Sequence, residues 1–416
     1  MSTGRKHPPI LSKKYTSNKQ HSIHKEINLM ATKTASPDTL KVSSPRKELF
    51  EGIQTVGKAV ATRSSLPILT HVRIAAKDGK VSLMATDLEM WMEHTLPTTT
   101  LAPDGAATAP ARNFTELLGA MPDAEVEFSL EADTHALRLR CNKANYKLLG
   151  LPAEEFPLLP QVKEESRFVI DRTVLRDAIR QTLFATSSDE TRAILTGVLV
   201  VFQGDSLKFV ATDTHRLAVR DCAVKEGSGS ASAIVPARAM SELSRIIGND
   251  EGEVTVTLSS NQIQFHIPDE KSGDTTLISR LIDGQFPNYE RVIPPQATKI
   301  LTTAREPLAQ AIKRAAIVAR DSANRVVLRT SEDGDKLLIT AESGSVGNAD
   351  EEVEVAYVNG EGPVEIAFNA KYLLDVLNVL DSEGLHIELT EPLRPGLVRP
   401  TENADYLCVL MPMQVV

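Results

Sequence analysis

The chain has 416 residues, a length that allows two to four domains. Its 46 basic and 55 acidic residues give a net charge of −9, which excludes a uniformly basic surface of the kind that binds DNA phosphates over its whole area. No apolar run approaches the ~18 residues of a membrane span, and three widely spaced cysteines (Cys141, Cys222 and Cys408) argue against a disulfide framework or a zinc site and suit a reducing cytoplasm.

The first 39 residues differ from the rest of the chain. They carry seven Lys or Arg against two acidic residues, with no sustained apolar periodicity and no apolar segment of a signal peptide. Such a polar, aperiodic composition is typical of disorder. We predict a disordered basic tail over residues 1–39, with a DNA-binding arm as the alternative, and residues 40–416 are left with a net charge of −14.

An amphipathic helix is predicted after the tail. Ser44 before Pro45 is a good helix N-cap followed by Pro at the first helical position. Apolar residues then recur at the spacing of one helical face, namely Leu49, Ile53, Val56 and Val60.

Residues 52–59, GIQTVGKA, nearly spell a phosphate-binding loop. The segment ends in Ala59, where the motif needs Ser or Thr to reach magnesium. It also lies inside the predicted helix, where no loop can surround a phosphate. We therefore interpret it as part of the helix and not as a nucleotide site.

Two long segments of the chain read as copies of each other. The matching pairs are VSLMATDLEM (81–90) with LKFVATDTHR (207–216), PARNFTELLGAM (110–121) with PARAMSELSRII (236–247), and AEEFP with DGQFP, which end at Pro157 and Pro287. The spacings are 126, 126 and 130 residues, in one order. Such ordered self-similarity indicates a repeat architecture.

A fainter third copy follows, with LLITAES (337–343) in place of the ATD strand and AFNAKYLLDVLNVL (367–380) in place of the PAR helix. We therefore predict three domains, at 40–163, 164–293 and 294–416. Each copy is expected to open with a helix, continue with strands such as 198–202 and 207–210 joined by a turn at Gly204-Asp205, and add a second helix and further strands. This order predicts an α+β fold of antiparallel sheets with helices on one face.

Charge separates between the predicted helices and the rest. The helical windows sum to +8, which leaves −22 for the remainder of residues 40–416; the windows are 44–63, 110–121, 172–188, 236–247, 304–325 and 368–380. Basic residues on solvated helix faces are an ordinary alternative. Because the helices belong to repeats, however, the pattern favours one positive face that holds DNA loosely.

Several motifs together resemble the bacterial sliding clamp family, the beta subunit of DNA polymerase III. They are SSLPILTHV (64–72), MATDLEM (84–90), ATDTHRLAV (211–219), SRLIDGQFPNYERVIP (279–294), AFNAKYLLDVL (367–377) and YLCVLMPM (406–413). The resemblance implies three domains of one fold and a head-to-tail homodimer whose helices line a ring around duplex DNA. It implies no catalysis and no cofactor. The implied partners are the polymerase III catalytic subunit, the clamp loader, and other polymerases and repair proteins.

The resemblance also implies a pocket for a linear partner peptide between the second and third domains. The matching positions are Leu195, Thr212, Thr214, His215, Arg216, Leu217, Pro287, Val292, Leu393, Pro395, Val409, Leu410, Met411, Pro412 and Met413. Two departures bear on peptide preference: Thr214 stands where familiar members have glycine, and the chain ends in Gln414-Val415-Val416 where an Arg and a final Leu are common.

Two further sets of residues follow from the same match. Arg63 and Arg291 are implied near DNA. At the subunit interface, Tyr146 and Leu148 of the first domain are implied to meet Ile317 and Val318 of the partner's third domain.

Two other classes of protein are alternatives to a clamp. One is an enzyme acting on nucleic acid through Asp213 and His215, but Asp87, the counterpart in the first repeat, has no His after it, and no His/Cys cluster has metal-ligand spacing. A His-Asp pair alone is more often structural. The other is a monomeric protein scaffold, which the mass in solution distinguishes from a ring.

Overall fold

The structure is a computed structural model that describes residues 40–97 and 104–415. The predicted tail, residues 1–39, lies outside the described residues. In the described chain, three similar units follow one another, each with two helices and at least eight strands, and the predicted α+β fold with antiparallel sheets is confirmed.

The secondary structure of the three units is as follows. The first contains β1 (Lys41–Pro45), α1 (Arg46–Val56), β2 (His71–Lys77), β3 (Lys80–Thr86), β4 (Met90–Thr95), β5 (Gly105–Pro110), α2 (Ala111–Ala120), β6 (Glu125–Glu131), β7 (Ala136–Cys141) and β8 (Ala144–Leu149). The second contains β9 (Ser166–Asp171), α3 (Arg172–Leu183), β10 (Gly197–Gln203), β11 (Ser206–Thr212), β12 (Arg216–Ala223), β13 (Glu226–Ser228), β14 (Ser230–Pro236), α4 (Ala237–Ile247), β15 (Glu253–Leu258), β16 (Gln262–Ile267) and β17 (Thr275–Arg280). The third contains β18 (Lys299–Ala304), α5 (Arg305–Ala319), β19 (Arg325–Thr330), β20 (Lys336–Ser343), β21 (Gly347–Glu354), β22 (Ala356–Asn359), β23 (Glu365–Asn369), α6 (Ala370–Val379), β24 (Gly384–Leu389), β25 (Gly396–Pro400) and β26 (Tyr406–Leu410).

The sheets run across the boundaries between units. A nine-stranded sheet, β13-β9-β15-β16-β17-β4-β3-β2-β5, joins the first unit to the second through antiparallel pairing of β4 with β17. Another, β14-β10-β11-β12-β26-β25-β24-β18-β22, joins the second to the third through β12 and β26. At the two ends of the molecule, the four-stranded sheets β1-β6-β7-β8 and β21-β20-β19-β23 leave β8 and β21 as edge strands.

Helix α1 packs its apolar stripe on the sheets, as its periodicity predicts. Leu49, Ile53 and Val56 are fully buried, in one cluster with Leu83 of β3. A Cβ atom on Gly52 would lie 2.8 Å from this leucine side chain, so the glycine permits close approach of helix and sheet. The GIQTVGKA segment is thus a packing feature whose first five residues are helical.

The predicted start of this helix is wrong. Ser44 makes no helix cap: it lies in strand β1, fully buried opposite Val126 of β6, and the helix begins at Arg46 after Pro45. A strand likewise precedes the first helix of the other two units, at β9 and β18. Tertiary pairing with a distant strand therefore overrode the local capping signal. Val60, the last residue of the predicted stripe, lies beyond the helix and is only partly buried.

The helices are shorter than predicted, and the charge separation is smaller. Helices α1 to α6 hold twelve basic and seven acidic residues, a net +5 in place of +8, against −19 for the rest of residues 40–416. Several of these bases are also engaged: Arg172 is buried, Arg180 pairs with Asp381, and Arg314 pairs with Glu351. Three lysines of these helices, Lys47, Lys313 and Lys371, are exposed. In the ranges 40–97 and 104–415, no helix combines the length and apolarity that crossing a membrane requires.

Candidate peptide-binding pocket

A cavity of about 150 Å³ opens where the second unit meets the third. Its walls come from the β12–β26 joint, a 3-10 helix (Glu190–Leu195) before β10, and the linker that follows β17. The lining residues are Leu195, Thr212, Thr214, Arg216, Leu217, Pro287, Asn288, Tyr289, Val292, Val409 and Met411. The lining is predominantly apolar, which suits an apolar side chain of a partner.

The structure brings together nine of the fifteen residues expected at a peptide site: Leu195, Thr212, Thr214, Arg216, Leu217, Pro287, Val292, Val409 and Met411. The other six do not line this cavity. Leu410 is buried in the core of the third unit, and Leu393 is 66% exposed in the β24–β25 turn.

The remaining four, His215, Pro395, Pro412 and Met413, do not line the cavity either. The exposed His215 accepts a 2.9 Å hydrogen bond at its backbone oxygen from the Met411 N–H, and its ring lies 6.1 Å from that of Tyr372. Beyond Met411, Pro412 and Met413 are half-buried, and the Met413 N–H donates to the Ala367 oxygen at 2.8 Å. The half-buried Pro395 precedes β25.

Arg216 links the two units at the pocket wall. This residue is 9% exposed, and its Nε donates to the Asp213 carboxylate at 3.1 Å. Its terminal nitrogens donate to the Asp375 carboxylate, on α6 of the third unit, and to the Phe184 backbone oxygen. The guanidinium carbon also lies 4.6 Å from the centre of the Tyr372 ring. The pocket wall is therefore fixed by a charged residue whose donors are committed within the protein.

The turn beside the pocket has an unusual backbone. Thr214 has φ of +81°, a conformation that favours glycine and is strained for a β-branched residue. The turn is stabilised by the Asp213 carboxylate, which accepts from the His215 and Arg216 backbone N–H groups at 2.9 and 3.0 Å. Asp213 thus contacts the backbone of His215 and not its ring, an arrangement that serves turn formation and gives no acid-base pair.

Sequence reasoning missed Asn288 and Tyr289 as lining residues. Both lie inside the SRLIDGQFPNYERVIP motif, and their position between Pro287 and Val292 was the available signal. Tyr289 is half-buried, and burial raises the pKa of its hydroxyl. Asp375 and Phe184 were missed as well, because they hold Arg216 across 159 and 32 residues of sequence.

The other predicted site residues lie elsewhere in the molecule. Arg63 is exposed in the loop after α1, and Arg291 is exposed in a 3-10 turn (Tyr289–Val292) of the linker, so neither belongs to a helix of the basic face. Tyr146 lies on edge strand β8 and is 37% exposed, with Leu148 partly buried next to it. Ile317 is 58% exposed near the end of α5, and Val318 packs partly against the core.

Comparison with known proteins assigns the family. Three family models match in succession: the N-terminal domain of the DNA polymerase III beta subunit over residues 40–160, its central domain over 169–288 and its C-terminal domain over 290–414. The chain belongs to the family of DNA polymerase III beta subunits, the beta sliding clamps.

Individual relatives of the beta-subunit family agree with this assignment. The beta sliding clamp of Bacillus subtilis is 32% identical over 384 residues, which cover 90% of this chain and all of the relative. That of Staphylococcus aureus is 32% identical over 86% of this chain and 94% of its own. The crystal structure of the DNA polymerase III subunit beta from Pseudomonas aeruginosa superposes with a TM-score of 0.83 at 32% identity, over 90% of this chain and all of that one.

Proposed function

We propose that this chain is a DNA polymerase processivity factor: a clamp of two copies, closed head to tail around duplex DNA in the cytoplasm, that tethers partner proteins without catalysis. The observation that carries the proposal is the repeated joint between units. Strand β4 ends the run β2-β3-β4 in the first unit, and it pairs with β17, the last strand of the second unit. Strand β12 ends the equivalent run β10-β11-β12 in the second unit, and it pairs with β26, the last strand of the third. The same rule applied once more pairs β21 with β8 of a second copy, and both are edge strands here.

The two internal joints also share a register, which can be extended to the third. At the first joint Met90 lies opposite Ser279, and at the second Arg216 lies opposite Leu410. Arg216 follows Met90 by 126 residues, and Leu410 follows Ser279 by 131. When the units are aligned on the starts of their first and second helices and followed through their strand registers, the corresponding pair is Gly347 and the partner's Leu148. A head-to-tail joint gives a closed ring only if the rotation per copy closes, and the proposed ring closes with two copies and six units.

This register supports the implied interface residues. It sets the partner's Tyr146 opposite Ala349, on the face of β21 that packs against α5, where Ile317 is exposed. Exposed apolar groups at both ends of one chain gain most when they cover each other. Tyr146, Leu148, Ile317 and Val318 therefore form the core of the proposed interface.

Duplex DNA is the proposed occupant of the ring. The net +5 on the helices against −19 elsewhere supports weak contacts with phosphates on the helix side and repulsion elsewhere. Such contacts carry no base readout, so binding should be independent of sequence and strongly dependent on salt. Arg63 and Arg291 remain proposed DNA contacts outside the helices.

The pocket between the second and third domains is the proposed attachment site for linear peptides of the polymerase III catalytic subunit, the clamp loader, and other polymerases and repair proteins. Its apolar walls and the flexible Met411 side chain support acceptance of several different peptides. Deletion of residues 412–416 should leave the dimer intact and weaken binding of a polymerase peptide by at least ~tenfold, about 1.4 kcal/mol. Unchanged peptide affinity, or unfolding of the truncated chain, would count against the pocket assignment.

The ring itself is tested by light scattering after size exclusion and by retention on DNA. The wild type should elute as a dimer, should stay on closed circular DNA once loaded, and should be lost when the circle is cut. Ile317→Glu should give monomers, because the interface would bury an unpaired charge. Val358→Glu, at an equally exposed position (58%) on β22, is the matched control and should remain dimeric. A monomeric wild type, or equal retention on linear and circular DNA, would overturn the proposal.

A further inference from the structure

A second and larger recess adjoins the peptide pocket. It has a volume of about 800 Å³ and lies between the linker of residues 281–290 and edge strand β14. Its floor includes Leu199, Ser232 and Ile234 on the outer face of the sheet, and Ser260 closes one side. We call this recess the linker groove.

The linker groove and the peptide pocket are neighbours. Pro287, Asn288 and Tyr289 line both, so they form a common rim. The pocket alone, at about 150 Å³, holds one or two side chains, and a peptide seated there has to continue across its edge. The rim of Pro287 to Tyr289 is one path by which it continues, and it leads into the groove.

The linker groove offers a ligand two features, which are acidic side chains and backbone groups at the edge of β14. Asp283 and Glu290 line it, and its lining, all of it described, contains no Lys or Arg. Lys208 acts electrostatically on Tyr289 and Glu290, but its ammonium is held 3.0 Å from the Asp221 carboxylate.

At the edge of β14, the Ile234 oxygen accepts from the Ile282 N–H at 2.9 Å. Because backbone groups alternate along a strand, those of Ser232 are directed to the same edge. An extended chain with a basic side chain complements both features.

We infer that the linker groove binds the segment of a partner protein that flanks its clamp-binding peptide, and that it selects flanks carrying Lys or Arg. This inference rests on the proposed peptide pocket and deepens it. The pocket supplies the apolar anchor, whereas Asp283 and Glu290 favour one charge pattern in the sequence beside it. Exposed charge pairs of this kind contribute little each, so the expected preference is modest.

The test uses synthetic peptides and measures affinity by fluorescence polarisation. The first probe is the shortest fragment of the polymerase III catalytic subunit that binds; the others extend it, at either end, by Gly-Lys-Gly-Lys or by Gly-Glu-Gly-Glu. At one end, the Lys extension should bind the wild type about three- to tenfold more tightly than the Glu extension. In the double variant Asp283→Asn/Glu290→Gln, the ratio of Lys-extension to Glu-extension affinity at that end should fall to the ratio measured for extensions at the other end. The affinity of the unextended fragment should not change.

A matched variant separates the groove from the acidic charge of the whole protein. Glu332→Gln/Asp333→Asn removes the same charge at two exposed positions in the β19–β20 turn and should keep the full Lys-to-Glu ratio. A ratio near one in the wild type, or a ratio that survives in the groove variant, overturns the inference. Failure of the unextended fragment to bind, or binding that ignores deletion of residues 412–416, would instead count against the peptide pocket itself.

Discussion

The junction between the first and second domains and the junction between the second and third are built on the same strand pairing but present different surfaces. Trp91 of β4 lies opposite Ile278, as Leu217 of β12 lies opposite Val409. At the second junction the residues around Leu217 line a cavity. At the first, the position of Leu217 holds the much larger Trp91, which is 6% exposed.

Neighbouring positions are also more apolar at the first junction than at the second. Leu88 of the first domain corresponds to Thr214, and Met90 corresponds to Arg216. Leu88 packs against a small apolar cluster that includes Leu69 and Phe156. The indole N–H of Trp91 is buried and has no hydrogen-bond partner among the described residues, so this side chain contributes apolar bulk at some polar cost. The repeated fold therefore supplies both junctions, whereas a few side chains set how much room each junction leaves.

The largest effect is expected from making the second junction resemble the first at one position. Arg216→Met leaves the carboxylates of Asp213 and Asp375 without their shared partner in a partly buried setting, which should cost about 3 kcal/mol of unfolding free energy. Denaturant titration followed by circular dichroism measures the loss. Asp375→Leu in the same chain should recover part of it. Met90→Leu, a change of similar volume at the matching position, should cost less than about 1.5 kcal/mol; a similar loss in both single variants would contradict the role assigned to Arg216.

The reverse change should open the first junction. The double variant Leu88→Thr/Trp91→Leu removes the bulky side chains that distinguish the first junction from the second. It should destabilise the chain by about 2–4 kcal/mol. In return, we expect a second, weaker peptide site per subunit, measured as a stoichiometry approaching two in calorimetry against one for the wild type.

Trp91 provides an internal control for this experiment. It is the one tryptophan among 416 residues, so its fluorescence should not respond when peptide binds wild-type protein at the other junction. A clear response in the wild type, or a stoichiometry of one in a folded double variant, would show that bulk is not what closes the first junction.

The repeat explains how much of this could be predicted from sequence. The ATD and PAR segments mark a strand and a helix in both copies, and the Gly204-Asp205 turn joins β10 to β11 as expected. Periodicity and turn chemistry depend on neighbouring residues, so they can be read from the sequence.

What sequence reasoning missed depends on distant partners. The local pattern predicts a helix cap at Ser44, whereas the strand that it pairs with, β6, lies some eighty residues away. Asn288 and Tyr289 line the pocket because the linker folds back over the β12–β26 joint, which no local pattern encodes. The net charge of the helices was overestimated for a related reason, since their ends are set by packing.

A smaller effect separates the two strained turns. Thr214 and Leu88 have φ of +81° and +74° at corresponding positions. Thr214→Gly should stabilise the chain by about 1 kcal/mol, because glycine adopts this conformation without strain. Leu88→Gly relieves the same strain but loses the apolar contacts of Leu88, so we expect no gain. Thermal unfolding compares the two variants; a destabilised Thr214→Gly would mean that the threonine hydroxyl matters more than the strain.

The smallest expected difference concerns pH at the two joints. His94 lies opposite Thr275 in the first joint, where the second joint has Arg220 opposite Tyr406. Its imidazole Nδ1 lies 2.9 Å from the Thr275 hydroxyl, and burial lowers its pKa, while the Ser272 backbone and the carboxylates of Asp269 and Asp274 act in the opposite direction.

Because the folded pKa of His94 lies below the unfolded value, the unfolded chain takes up its proton first as pH falls. His94 therefore contributes stability above the unfolded pKa near 6.5, and this contribution is lost as pH falls below it. His71, which burial shifts in the same direction, adds to the same trend. His94→Gln keeps a hydrogen-bonding group without the charge, so its melting temperature should fall less between pH 7.5 and pH 5.5 than that of the wild type. His71→Gln tests the other contribution separately, and equal slopes for wild type and His94→Gln would show that the first joint does not carry the pH dependence.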